Sequence, residues 1–276
     1  MDWLYHILFG AISGLADILP VSAPAHQRIF NSMIPEGTIS PLTVLMVHLA
    51  IFGALYYTCQ NQLIRIVRAV KLARIPKRRR KRPLDTKSLM EMQMLKTMAI
   101  PIIIGFIFYS KAAAFVSTLM VMAVILLING LILYIPQFLP GSNKDARNMT
   151  PVDSFLMGIG GALAVLPGMS AIGVTTSIGS VRGGEKSFNL QIALIMNMGV
   201  ILGMILMDIV GIFGTGLGVD GFIGFLCSCL AGAAAFGSSM LSIRLMKKLA
   251  QKTGFGIFSY YCWGAALFSF ILYLTT

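Results

Sequence analysis

Gly14-Leu-Ala-Asp-Ile-Leu-Pro-Val-Ser-Ala-Pro-Ala-His26 lies in an apolar neighbourhood, yet it carries an Asp, a Ser, a His and two prolines. A helix spanning a membrane or a core has little use for that content. Each proline removes a backbone donor, and an ionisable side chain in lipid is expensive. The stretch therefore reads as a broken helix at which something polar is met. A second stretch answers it near mid-chain, Ala164-Val-Leu-Pro-Gly-Met-Ser-Ala-Ile-Gly-Val-Thr175. Both contain Leu-Pro followed closely by Ser, both interrupt an apolar run, and they occupy comparable places in the two halves. We read them as a pair.

The surrounding composition fixes the medium. Hydrophobic residues make up 57% of the 276 and charged residues only 12%, with a mean hydropathy of +0.82. A soluble domain carries about a quarter charged residues, so this is an integral membrane protein. The 28 glycines and 18 methionines suit close helix packing in lipid. The N-terminus lacks the basic start of a cleavable signal peptide, and insertion is expected to rely on the mature helices. Cys59, Cys227, Cys229 and Cys262 have no flanking ligands of the kind a metal site needs and read as packing residues.

Outward from the two breaks, the chain divides into halves at 1–139 and 140–276. Residues 1–30 are cut by Pro20 and Pro24, so neither side reaches the roughly 20 residues of a straight span. A re-entrant hairpin is expected there, and another over 154–182. Irregular backbone at membrane depth is tolerated only where protein or a water-filled cavity satisfies it. Spans are expected at about 42–59, 97–111, 114–139, 188–213, 219–243 and 257–275, with a surface loop at 31–41 and a tight turn around Lys111. Between Gln60 and Lys96 the chain carries twelve Lys or Arg against Asp85 and Glu91, including the run Lys77-Arg-Arg-Arg-Lys-Arg82. Such a loop reads as cytoplasmic and attracted to anionic lipid, in preference to a nucleic-acid arm. Placing the three main Lys/Arg-bearing loops inside leaves both termini outside, with little basic residue on that side except Arg28 and Lys111. The first hairpin then dips from the outer face and the second from the cytoplasmic face. The expected fold class is thus an all-α integral membrane protein, six transmembrane helices plus two re-entrant hairpins in an inverted-topology repeat.

These residues resemble the bacterial undecaprenyl-diphosphate phosphatase family, the bacitracin-resistance type. Its first motif reads Glu-Gly-Leu-Thr-Glu-Phe-Leu-Pro-Val-Ser-Ser-Thr-Gly-His and its second Pro-Gly-x-Ser-Arg-Ser-Gly-x-Thr. The likeness also covers Val47 to Ile51, Ile100-Pro101 and Gly158 to Leu166. At the catalytic positions the first glutamate falls on Ser13, the second on Asp17, the nucleophile-candidate serine on Ala23, the histidine on His26 and the arginine on Ala171. Ser22, Ser170 and Thr175 match the flanking hydroxyl residues, while Pro24-Ala25 and Ile172 depart from the pattern.

The resemblance implies cleavage of a polyprenyl diphosphate in the plasma (inner) membrane of a bacterium, recycling the lipid carrier of cell-wall synthesis with a divalent cation, magnesium or calcium. That chemistry needs charge neutralisation on the phosphoryl oxygens, an in-line nucleophile and stabilisation of the leaving phosphate. Asp17, Ser22 and His26 are the catalytic candidates, with Asp17 as the metal ligand. Ser13, Arg28, Ser170, Thr175 and Arg182 are the substrate-binding candidates. Each has a plainer reading. Ser22 satisfies backbone freed by Pro20, Arg28 snorkels to the interface, and Arg182 with Lys186 is ordinary positive-inside charge. Asp17 and His26 form a functional pair or a self-neutralising remnant, and His48 reads as a satisfied buried histidine. Two activities stay open, a divergent phosphatase and a non-catalytic protein that binds or translocates polyprenyl phosphate. Gly199 and Gly203 read as an internal helix contact, and the oligomeric state stays open.

Overall fold

A computed structural model describes residues 2–34, 39–140, 143–219, 221–252 and 254–275. Its helices in chain order are α1 (Asp2–Ile18), α2 (Ala23–Met33), α3 (Pro41–Ala73), α4 (Thr86–Ile107), α5 (Tyr109–Phe115), α6 (Leu119–Tyr134), α7 (Pro151–Leu163), α8 (Ala171–Val181), α9 (Lys186–Thr215), α10 (Gly221–Lys252) and α11 (Ile257–Thr275). Six segments are long and apolar enough to cross a membrane: α3, α4, α6 with the turn that follows it, α9, α10 and α11. Their outward surfaces are apolar, with Phe213, Phe222 and Ile223 each at least three-quarters exposed, as lipid-facing side chains are. Of the surface loop expected at 31–41, α2 takes residues up to Met33, and residues 35–38 lie outside the described part.

The helix starts follow from local chemistry. Ser40 accepts a hydrogen bond from the Thr43 amide ahead of Pro41, and Asp85 accepts from Ser88. Thr150 and Asp153 form a reciprocal capping box at α7, while Ser170 accepts from Gly173 at α8. In each case a short polar side chain satisfies an amide that the first helical turn leaves orphaned.

Two expectations need correction. The polar stretch expected as a loop over 60–96 is mostly helix: α3 runs on to Ala73, α4 starts at Thr86, and residues 74–85 alone connect them. Gln60 to Ile75 contains no Gly or Pro, and its Ile66 and Ala69 are buried, so an amphipathic helix simply continues past the lipid. At 33 residues α3 is about 50 Å long, well beyond the ~30 Å of hydrocarbon. The tight turn expected around Lys111 is instead the short helix α5.

Both broken segments are hairpins. In the first, Phe9 packs against Phe30 with tilted rings whose centroids are 6.0 Å apart, and Gln27 donates to Ser13 Oγ at 3.0 Å, so α1 and α2 run antiparallel. In the second, Arg182 Nε donates to Asp153 Oδ1 at 2.5 Å and the Lys144 amide donates to the Gly183 carbonyl, which ties its entry to its exit. The Leu42 amide bonds the Leu217 carbonyl, so α3 begins on the face where α9 ends. The second hairpin feeds the start of α9 and the first feeds the start of α3. The two hairpins therefore enter from opposite faces.

Packing around them is glycine-dependent. A Cβ on Gly158 would lie 2.6 Å from the Met98 Cα, and one on Gly160 would lie 2.5 Å from Thr175 Oγ1, so α7 rests directly on the backbones of α4 and α8.

Candidate functional site

The tips of the two hairpins meet, and hydrogen bonds hold them together. Ser22 Oγ accepts from the Gly168 amide at 2.9 Å. Asn129, wholly buried on α6, bridges the breaks: its Nδ2 donates to the Pro20 carbonyl at 3.1 Å, and its Oδ1 accepts from the Ser170 amide at 3.0 Å. The backbone groups that the two prolines and the turns release are thereby satisfied inside protein, as membrane depth requires. Ser22 has φ +71°, the one left-handed non-glycine residue among those described, and Gly168 answers it across the contact with φ +114°.

Between the tips lies a narrow cleft of about 30 Å³, lined among others by Asp17, Ser22, Ala23, Gln27, His48, Ser170, Ala171 and Asn197. That volume is enough for a single water. Asn197 on α9 donates from Nδ2 to Asp17 Oδ2 at 2.8 Å. Its own Oδ1 is buried without a hydrogen-bond partner, an uncommon state for a buried amide. On α3, His48 Nδ1 meets Asp208 Oδ2 of α9 at 2.5 Å. Ala171 is the first residue of α8, so an anion in the cleft meets the positive end of that helix.

The structure brings together Asp17, Ser22 and Ser170 from the residues singled out in the sequence, and takes the others elsewhere. His26 does not face Asp17. Its Nδ1 bonds the Ser22 carbonyl at 2.9 Å, its Nε2 bonds the Tyr261 hydroxyl at 2.8 Å, and its ring stacks on Tyr261. The reason is the helix it sits on: a residue four positions past the N-cap Ser22 lies one turn up α2, facing α11. Ser13 is buried, donating to the Phe9 carbonyl at 2.7 Å, and reaches the cleft only through Gln27. Arg28 donates to the Val116 and Ala113 carbonyls at the end of α5, where a cation suits the helix dipole. Thr175 donates to the Met157 carbonyl at 3.0 Å and joins α8 to α7. Arg182 closes the mouth of the second hairpin on Asp153.

Sequence reasoning missed Gln27, Asn129 and Asn197, and read His48 as merely buried. An Asn or His inside an apolar run was the available signal, since a polar side chain in lipid needs a partner. Nothing in the sequence says that the partner is 160 positions away.

A second cavity, apolar and about 360 Å³, opens between α1, α2 and α11, lined among others by Leu15, Val21, Phe30, Phe258, Tyr261 and His26. Ala16 lines both it and the cleft.

Six spans and two opposed re-entrant hairpins with a polar cleft at their crossing define a polytopic membrane protein whose site is built from broken helices near the middle of the fold. The chain belongs to the family described as bacitracin resistance protein BacA, whose model matches residues 6–268. It is similar to proteins named undecaprenyl-diphosphatase from Methanobrevibacter smithii, 29% identical over 98% of both chains, and Thermosipho africanus, 28% identical over 97% of this chain and 99% of the relative. A Bacteroides fragilis protein of the same name is 28% identical over 95% of each. The positions where the family pattern has its serine and arginine, here Ala23 and Ala171, both line the cleft.

Proposed function

We propose that this protein hydrolyses a polyprenyl diphosphate, of which undecaprenyl diphosphate is the reference substrate, to the monophosphate and inorganic phosphate. The observation that carries the reading is the adjoining pair of spaces: a polar cleft holding Asp17, sharing Ala16 with an apolar cavity open between α1, α2 and α11. The head group docks against the first, which must widen beyond its single-water volume to take it in, and the start of the prenyl chain enters the second.

In the cleft, the Ser22 and Ser170 hydroxyls and the N-terminal turn of α8 bind phosphate oxygens in place of an arginine. Among the described residues no group of three or more His, Cys, Asp or Glu side chains gathers to hold a metal, so a divalent cation caged by several such side chains fits poorly. A magnesium ion held by one carboxylate and shared with substrate phosphates fits better. Asp17, which lines the cleft, would be its ligand, and such an ion would neutralise charge on the phosphates.

We place the protein in the bacterial plasma membrane, with the basic connection at 74–85 in the cytoplasm against anionic lipid, following the positive-inside rule. The first hairpin then opens to the outside, and no nucleic acid is involved. The test is phosphate release from undecaprenyl diphosphate by purified protein in detergent, with and without magnesium or calcium, beside Asp17→Asn. Release that needs magnesium and is lost in the variant is expected. Absence of release beside an active relative overturns the reading and leaves a protein that binds or translocates the lipid.

A further inference from the structure

We propose that His48, held by Asp208, is the general base of the cleft: it takes a proton from the water that attacks the terminal phosphorus. This rests on the phosphatase reading and names the group that activates a water nucleophile where the family pattern's serine is Ala23.

Three observations carry it. First, the His48 ring lines the cleft while its Nδ1 is committed to Asp208 Oδ2 at 2.5 Å. A carboxylate there takes the Nδ1 proton in a hydrogen bond and leaves the Nε2 lone pair as the ring's remaining polar site, the arrangement that makes an imidazole a base. Second, Asn197, Ile201, Met204 and Asp208 stand three or four apart along α9 and so share one face of it, and the first three line the cleft. Asp208 continues that face by one turn, reaching His48 from the cleft's own wall. Third, the cleft has room for about one water, and His48 on its wall offers that water an acceptor at Nε2. A water donating one hydrogen there keeps a lone pair for phosphorus.

The step balances without any other reagent. The water oxygen forms a bond to the terminal phosphorus as one of its protons moves to His48 Nε2. The bond from that phosphorus to the bridging oxygen breaks, and its electron pair stays with the polyprenyl monophosphate, which is stable as an anion and leaves unprotonated. The imidazolium, steadied by Asp208, then returns its proton to solvent or to the released phosphate.

The experiment measures kcat and KM for undecaprenyl diphosphate with wild type, His48→Gln, His48→Ala and Asp208→Asn. Each is scored on the monodisperse fraction whose melting temperature in detergent matches wild type. Loss of a general base costs about 10²- to 10⁴-fold. We expect kcat of His48→Gln to fall in that range with KM within twofold. Added imidazole should raise kcat of His48→Ala at least tenfold, a response that a packing role does not give. Asp208→Asn should lower kcat less than His48→Gln, again without moving KM. Wild-type turnover with His48→Gln within threefold of it, or His48→Ala that imidazole does not rescue, overturns the base and leaves the phosphatase reading standing. A wild type without turnover overturns both.

Discussion

Replacing Asn129 by leucine tests whether the two hairpins are held by one side chain. The substitution keeps the branching and the number of side-chain heavy atoms on a helix that is otherwise apolar, but it removes the one hydrogen-bond partner that the Ser170 amide has among the described residues and the main one for the Pro20 carbonyl. Only the weak thiol contact from Cys262, at 3.6 Å, remains for that carbonyl. Each buried group left unsatisfied costs about 1–3 kcal/mol, which gives ~2–6 kcal/mol for the pair. Side-chain hydrogen bonds between transmembrane helices average only about 0.6 kcal/mol, because alternative partners exist. At the breaks those alternatives are missing, since neither group lies within a regular helix, so we expect about 3 kcal/mol. Cys262 itself reports the result. Its thiol is fully buried and accepts from Asn129 Nδ2 at 3.3 Å. In protein whose Cys59, Cys227 and Cys229 are changed to alanine, the rate of maleimide labelling at Cys262 measures local opening. At 1.4 kcal/mol per tenfold, 3 kcal/mol raises that rate about a hundredfold. Ile128→Leu on the exposed side of α6 is the control and leaves it unchanged. A rise of less than threefold in Asn129→Leu refutes the bridging role.

Other consequences are as direct. Ser22→Ala keeps the left-handed backbone of φ +71° and loses the acceptor for Gly168, whereas Ser22→Gly loses the acceptor but relieves strain worth about 1–3 kcal/mol; the glycine variant should melt higher in detergent than the alanine one, and the reverse order refutes the strain. Gly158→Ala forces a methyl against the Met98 backbone and should destabilise by about 1–3 kcal/mol, read as a lower midpoint in a denaturant titration. Glu185 caps α9 by accepting from the Ser187 and Phe188 amides at 3.0 and 2.7 Å. Burial pushes its pKa up, but those two donors, with the Ser187 hydroxyl and the Lys87 charge, outweigh it and hold the carboxyl below its usual value. A depressed carboxylate stabilises the fold above its unfolded pKa of about 4.3, and that stabilisation is lost as pH falls through the lower folded value. Glu185→Gln should therefore flatten the decline of melting temperature below about pH 4.5, and an unchanged slope contradicts the cap.

The sequence by itself determined the medium, the number of spans and the two places where helices break. Hydropathy over 18 or more residues and prolines within apolar runs are local signals, and a span or a break is settled locally. It also determined the family and placed Asp17, Ser22 and Ser170 at the breaks. It did not settle where the polar side chains point. Asp17 and His26 are nine apart and look like a pair, yet α2 turns His26 onto Tyr261. Thr175 and Arg28 look like phosphate ligands, yet each is taken up by a carbonyl of a neighbouring helix. Only the tertiary structure decided that Asn129 joins the two breaks, that Asn197 stands on Asp17 and that Asp208 holds His48. Those partnerships join residues 41 to 180 positions apart, and they exist because lipid offers no water: every polar group must find its partner across a helix interface, and which one it finds depends on how the helices pack.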